Sequence, residues 1–154
     1  MNEALCDKWV SCIKKGDTVY HLGDMGTYNV YKVLKVLRKL PGKKYLVPGN
    51  HDDIPKFGHL WKEIFCILTS MHEMKLDVFG QNQHFVLSHY PILEWNGYYR
   101  GSIMLHGHTH ARTDNAGFRR IDVGVDNWEF APVAVEKLIK QACEVPVPKG
   151  HPCK

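Results

Sequence analysis

The chain has 154 residues, 44% of them hydrophobic and 23% charged, with a formal net charge of +4. This length suits one domain around a single core and calls for no second domain; one domain over residues 1–143 is expected, with a flexible tail over 144–154. Its apolar runs stop short of a membrane span, its five cysteines show no CxxC spacing, and its first residues lack the basic-then-apolar pattern of a signal peptide, so a cytoplasmic protein with reduced thiols is expected.

Leu5, Trp9, Cys12 and Ile13 recur at helical spacing, which predicts an amphipathic helix over 3–14 closed by Lys14, Lys15 and Gly16. After a turn at Asp17, the β-rich run 18–22 leads straight into Gly23-Asp24. Val30, Val33, Leu34, Leu37 and Leu40 then make one apolar stripe of a second helix, which Pro41-Gly42 stops. Lys32, Lys35, Arg38, Lys39, Lys43 and Lys44 crowd around that helix and read as its solvated face rather than a nucleic-acid patch. A short strand, 45–47, is broken by Pro48 and Gly49. Strand, helix and strand in so short a span predict a right-handed crossover with parallel strands. Both motifs then emerge at the carboxyl edge of one sheet, where open α/β folds keep their sites.

Phe57, Leu60, Trp61 and Ile64 return to a helical period. From there the pattern changes to period two, with Met74, Leu76 and Val78 alternating against Glu73, Lys75 and Asp77. Gly80-Gln81-Asn82-Gln83 is the predicted turn and 84–88 the returning strand. Residues 103–105 and 118–123 are again strand-like, and Pro132 precedes a last helix over 135–142.

The chemistry sits at the ends of these strands, in Gly23-Asp24, Gly49-Asn50-His51-Asp52, Ser88-His89 and His106-Gly107-His108-Thr109-His110. A carboxylate, an amide oxygen and imidazoles from separate loops form a mixed N/O donor set, which suits Mn²⁺, Fe²⁺ or Zn²⁺ better than Ca²⁺ or Mg²⁺. His108 and His110, two apart on an extended segment, are expected to project to one side, with Thr109 pointing away. Taken singly, Asp24 reads equally well as a helix N-cap and Asn50 as a turn amide; the convergence of ligand types singles them out. His21, His59, His72, His84 and His151 read as ordinary surface or core histidines. His106 is open to three readings: lining the pocket, supporting a ligand, or ending its strand against the core. The stretch Trp95, Asn96, Tyr98, Tyr99 and Arg100 either stacks on a base and holds a phosphate, or covers the sheet edge.

The ordered series Gly-Asp, Gly-Asn-His-Asp, His, Gly-His-Thr-His resembles the calcineurin-like metallophosphoesterase family, in particular its small single-domain members, over residues 17 to about 140. The resemblance implies an α/β fold, an αββα two-sheet sandwich, that hydrolyses phosphomonoesters or phosphodiesters at a dinuclear divalent-metal site. Mn is the best candidate; Fe, Zn or Ni would also fit. It further implies that Asp24 bridges the two metals, that Asn50, His89 and His108 complete one shell, and that His110 belongs to the other. A bridging water activated by both cations would attack phosphorus in line, and His51, oriented by Asp52, would protonate the leaving alkoxide.

Family members also carry an N-terminal strand ending in Asp-x-His, which supplies two ligands to the first metal. None of the aspartates here is followed two residues later by histidine, so that strand is missing from the expected sandwich. The expectation is a longer native chain, or a strand donated by another chain, a second copy included. Expected partners are thus a small phosphate-ester substrate and no membrane, with nucleic acid only as substrate. The alternative is a mononuclear or inactive relative serving as a binding or scaffold protein.

Overall fold

The computed structural model describes residues 2–25, 29–112, 115 and 117–149. Helix α1 (Asn2–Cys12) leads into strand β1 (Thr18–His21), helix α2 (Val30–Leu37), strand β2 (Lys43–Leu46), helix α3 (Ile54–Trp61) and strand β3 (Phe65–Ile67). These three strands form one parallel sheet in the order β1-β2-β3, so the expected strand–helix–strand unit is present with Tyr20 opposite Tyr45 and His21 opposite Leu46. Asn29 caps α2 by accepting the Lys32 N–H at 3.0 Å, the usual service of an N-cap amide.

The second sheet holds β4 (Met71–Val78), β5 (Gln81–Ser88), β6 (Ile103–His106) and β7 (Arg120–Asp122), in that order. The β4–β5 pair is antiparallel and the other two pairings are parallel. Helix α4 (Val135–Cys143) ends the regular structure, one residue beyond its expected close.

Alternation along the strands sorts the side chains into layers. Leu22 and Val47 from the first sheet meet Phe85, Leu87, Ile103, Leu105 and Ile121 from the second, and Leu138 and Ala142 of α4 pack into the same core. On the outer face of the first sheet, Leu46 and Phe65 pack against Val30, Leu34 and Leu37 of α2 and Trp61 of α3. The outer face of the second sheet offers Val86 and Met104, which Trp95, Ile92 and Tyr98 cover. The result is the two-sheet sandwich, with a loop in place of a long helix over the second sheet.

Three local expectations are corrected. The hairpin turn is the two-residue Phe79-Gly80, not 80–83, because both residues take positive φ (55° and 73°), the geometry that closes a tight hairpin. Gln81, Asn82 and Gln83 are thereby freed to pair with Val78, Asp77 and Leu76. Strand β3 was not foreseen, since a short apolar run after Trp61 looks the same as a continuing helix. Finally, the chain at 144–145 is docked, not loose: the Glu144 and Val145 N–H groups donate to Gln141 and Ala142 carbonyls, and Arg119 Nη1 donates to Val145 O at 3.3 Å. The part of the expected tail from residue 150 lies outside the described residues.

Candidate metal centre

The loops that follow β1 and β2 interlock through glycine. A Cβ on Gly23 would lie 2.5 Å from Gly49 N and 2.6 Å from His89 Nδ1, and one on Gly49 would lie 2.7 Å from Asp24 N and 2.8 Å from His89 Cε1. Neither position has room for a side chain, which is the physical reason for Gly before Asp24 and Gly before Asn50. The carboxylate of Asp52, fully buried, then ties the two loops together. It accepts from the backbone N–H groups of Asp24 (3.0 Å), Met25 (2.8 Å) and Gly49 (2.7 Å).

That clamp corrects the role expected for Asp52. Its oxygens face backbone donors, and among the described residues none of its hydrogen bonds reaches the His51 ring. His51 is held by its backbone, whose N–H donates to Asp24 Oδ1 at 2.9 Å, while its imidazole is exposed beside Asn50.

Beyond β5, His89 is almost fully buried. Its Nδ1 lies 2.6 Å from the carbonyl oxygen of Leu22. A carbonyl only accepts, so Nδ1 carries a proton and donates, which leaves Nε2 as the ring nitrogen that faces the centre. Around Nε2 stand Asn50 Oδ1 at 3.0 Å, His108 Nδ1 at 3.1 Å and Asp24 Oδ2 at 3.3 Å. The ligand atoms of Asp24, His89 and His108 all lie within 4.8 Å of one another. Two oxygens and two ring nitrogens thus converge, a donor set that fits a divalent cation of the Mn²⁺, Fe²⁺ or Zn²⁺ kind. The centre is open to solvent at Asn50 and His108. The cavity of about 350 Å³ near Asp122, Asn127 and Trp128 lies apart from it.

The segment after β6 is not extended. His108, His110 and Ala111 all take left-handed backbone (φ 67°, 47° and 64°), so strand alternation does not bring the two histidines to one side. His108 turns toward His89; His110 does not join this group. Its side chain is 72% exposed, and its Nδ1 donates to Asp126 Oδ2 at 2.8 Å. Asp122, buried at the end of β7, holds the bend by accepting from Thr109 Oγ1 at 2.7 Å and Ala111 N at 3.3 Å, while its other oxygen accepts Gly124 N at 2.8 Å. Neither Asp122 nor Asp126 stood out in the sequence. Asp122 had a readable sign, a carboxylate closing a strand-like run as Asp24 does.

Other expectations resolve in place. His106 is buried and faces away from the centre, its Nδ1 toward Gly107 O (2.9 Å) and its Nε2 toward Asn115 Oδ1 (3.3 Å). Trp95 is buried with its Nε1 donating to Ser102 Oγ, Tyr99 donates to Glu94, and Arg100 Nη2 donates to Asn96 Oδ1, so this stretch covers the sheet. The basic cluster is partly structural: Arg38 pairs with Glu63, and Lys44 Nζ donates to the Leu40 and Gly42 carbonyls after α2. His21, one strand position before Leu22, has an Nδ1 shut off from water without a partner among the described residues. Burial pushes its pKa down to about 4, against the pull of Asp52 and Asp24, so the ring is neutral at ordinary pH.

The comparisons agree with the sandwich. Residues 1–124 match the family model described as the calcineurin-like phosphoesterase superfamily domain. The chain is 30% identical over 148 residues to the Gene 66 protein of Mycobacterium phage D29, covering 80% of this chain and 74% of that protein. It is 29% identical over 149 residues to an uncharacterized protein of Methanocaldococcus jannaschii, covering 91% and 74%. A crystal structure of a protein of unknown function from Aquifex aeolicus superposes with a TM-score of 0.64 at 24% identity, covering 89% of this chain and 82% of that one, a likeness of fold. This chain belongs to the calcineurin-like phosphoesterase superfamily, whose members are generally dependent on divalent metal ions. Among the described residues no helix is long and apolar enough to cross a membrane.

Proposed function

We propose that this chain is a metal-dependent phosphoesterase in which Asp24, Asn50, His89 and His108 hold one divalent cation, Mn²⁺ by preference. The observation that carries this reading is the Nε2 of His89, which faces three further ligand atoms within 3.3 Å while Leu22 O holds the other ring nitrogen. A cation held there supplies Lewis acidity, drawing charge from the phosphoryl oxygens and acidifying water. Asp24 keeps Oδ2 for the cation because its Oδ1 is occupied by the His51 N–H. His51, exposed and pinned by its backbone, protonates the leaving alkoxide of the ester. His110, with Nδ1 committed to Asp126, would have Nε2 left for a second cation.

A second reading, a mononuclear or inactive binding protein, draws support from the same geometry, since His110 stands apart from the group formed by Asp24, His89 and His108. Hydrolysis of a chromogenic phosphodiester separates the two. The phosphoesterase reading expects turnover that a chelator abolishes, Mn²⁺ restores and His108→Ala removes. Bound Mn²⁺ without turnover in the wild-type chain would favour the second reading.

A further inference from the structure

Tyr90 directly follows His89 and packs against two donors of the centre at once. Its ring centroid lies 4.6 Å from that of His108 and 4.9 Å from that of His89, with interplanar angles of 66° and 76°. Despite these contacts it is 47% exposed. Among the described residues no hydrogen bond engages its hydroxyl, so the ring, not the phenol oxygen, is what this position offers. Leu93 on the same loop is 69% exposed. The nearby aromatics are otherwise committed: Trp95 is buried against Met104 and Val86, Tyr98 packs edge-on against Trp95, and Tyr99 is tied to Glu94.

A half-open aromatic ring beside a polar centre exposes apolar surface that favours a partner of like kind. Tyr90 borders two ligands of the proposed centre, so its ring is within reach of the organic group of an ester anchored there at phosphorus. We propose that Tyr90 is a specificity-determining residue that stacks on the base of a nucleoside phosphate, making nucleotides the substrate class of this site. The inference rests on the phosphoesterase reading above for the placing of the phosphoryl group. Base–aromatic stacking does not require the hydroxyl, so phenylalanine serves as well as tyrosine here, whereas alanine removes the platform.

The test is equilibrium titration of the Mn²⁺-loaded chain with adenosine 5′-monophosphate and with ribose 5-phosphate, which differ by the base alone. The wild-type chain is expected to bind the nucleotide about tenfold more tightly than the sugar phosphate, the usual size of one stacked base. Tyr90→Phe keeps that preference. Tyr90→Ala abolishes it and leaves ribose 5-phosphate binding unchanged, which also reports an intact centre. Equal affinities in the wild-type chain, no binding of either probe, or a preference that survives Tyr90→Ala would each overturn the proposal. So would equal weakening of both probes in Tyr90→Ala, which would make Tyr90 a support for His108 instead. Parallel assays of Mn²⁺-dependent phosphodiester hydrolysis keep the two readings apart: nucleotide preference without hydrolysis sinks the phosphoesterase and spares the stacking, and hydrolysis without preference does the reverse.

Discussion

Asp52 is the residue on which most of the site geometry depends, because one buried carboxylate satisfies three backbone donors from two loops. Asp52→Ala strands those donors and is expected to cost about 3 kcal/mol or more, read as a lower urea midpoint, with weaker Mn²⁺ binding besides. His51→Ala leaves the backbone bond to Asp24 in place, so metal content should hold while turnover falls by about 10²–10⁴; metal lost together with turnover would remove His51 from the acid role. His21 makes a pH prediction. Its folded pKa, about 4, lies below the ordinary value of 6.5, so on acidification the unfolded chain binds the proton first. Stability of the metal-free protein should therefore fall between pH 6.5 and 4, and urea midpoints for His21→Leu should vary less across that window. Asp24, Asn50, His89 and His108 are candidates from residue type, strand-end position and the family resemblance together. Asp126 could not be named so, since it acts through His110, an imidazole brought beside it only by folding, and Tyr90 meets His108 only in the folded chain.

The elements differ in how plainly the sequence announced them. Helix α2 and strand β4 carry strong periods and lie in the expected stretches, α2 closing at Leu37 short of Pro41 and β4 starting at Met71, whereas β3 is three residues long and has no period to read. The hairpin went astray because Phe79 sits in left-handed backbone, a conformation that Asn or Gly takes at far lower cost than a bulky aromatic. Phe79 is also 81% exposed, so its ring repays little of that strain. Phe79→Asn is expected to stabilise the chain by about 1 kcal/mol, a rise in melting temperature of roughly 2–4 °C that calorimetry would detect. The bend over 107–111 was misread for a related reason: alternation holds only while the backbone stays extended, and His108 leaves it.

At the scale of the molecule, two parallel strand ends from one sheet and two strand ends from the other meet over a common core, and the centre is the place where they meet. The sandwich was legible because four motifs in fixed order each follow a strand. The resemblance already set His110 apart from Asn50, His89 and His108, but its pairing with Asp126 was not legible, because it depends on backbone dihedrals within one loop. The account stands on divalent-cation binding by Asp24, Asn50, His89 and His108, and titration calorimetry with Mn²⁺ on the wild-type chain and on His89→Ala tests it most directly. Changes beside a metal's ligands already weaken binding by about 10–100-fold, so loss of His89 itself should cost at least that. Equal Mn²⁺ affinity in the two proteins, or no binding in the wild-type chain, would contradict it.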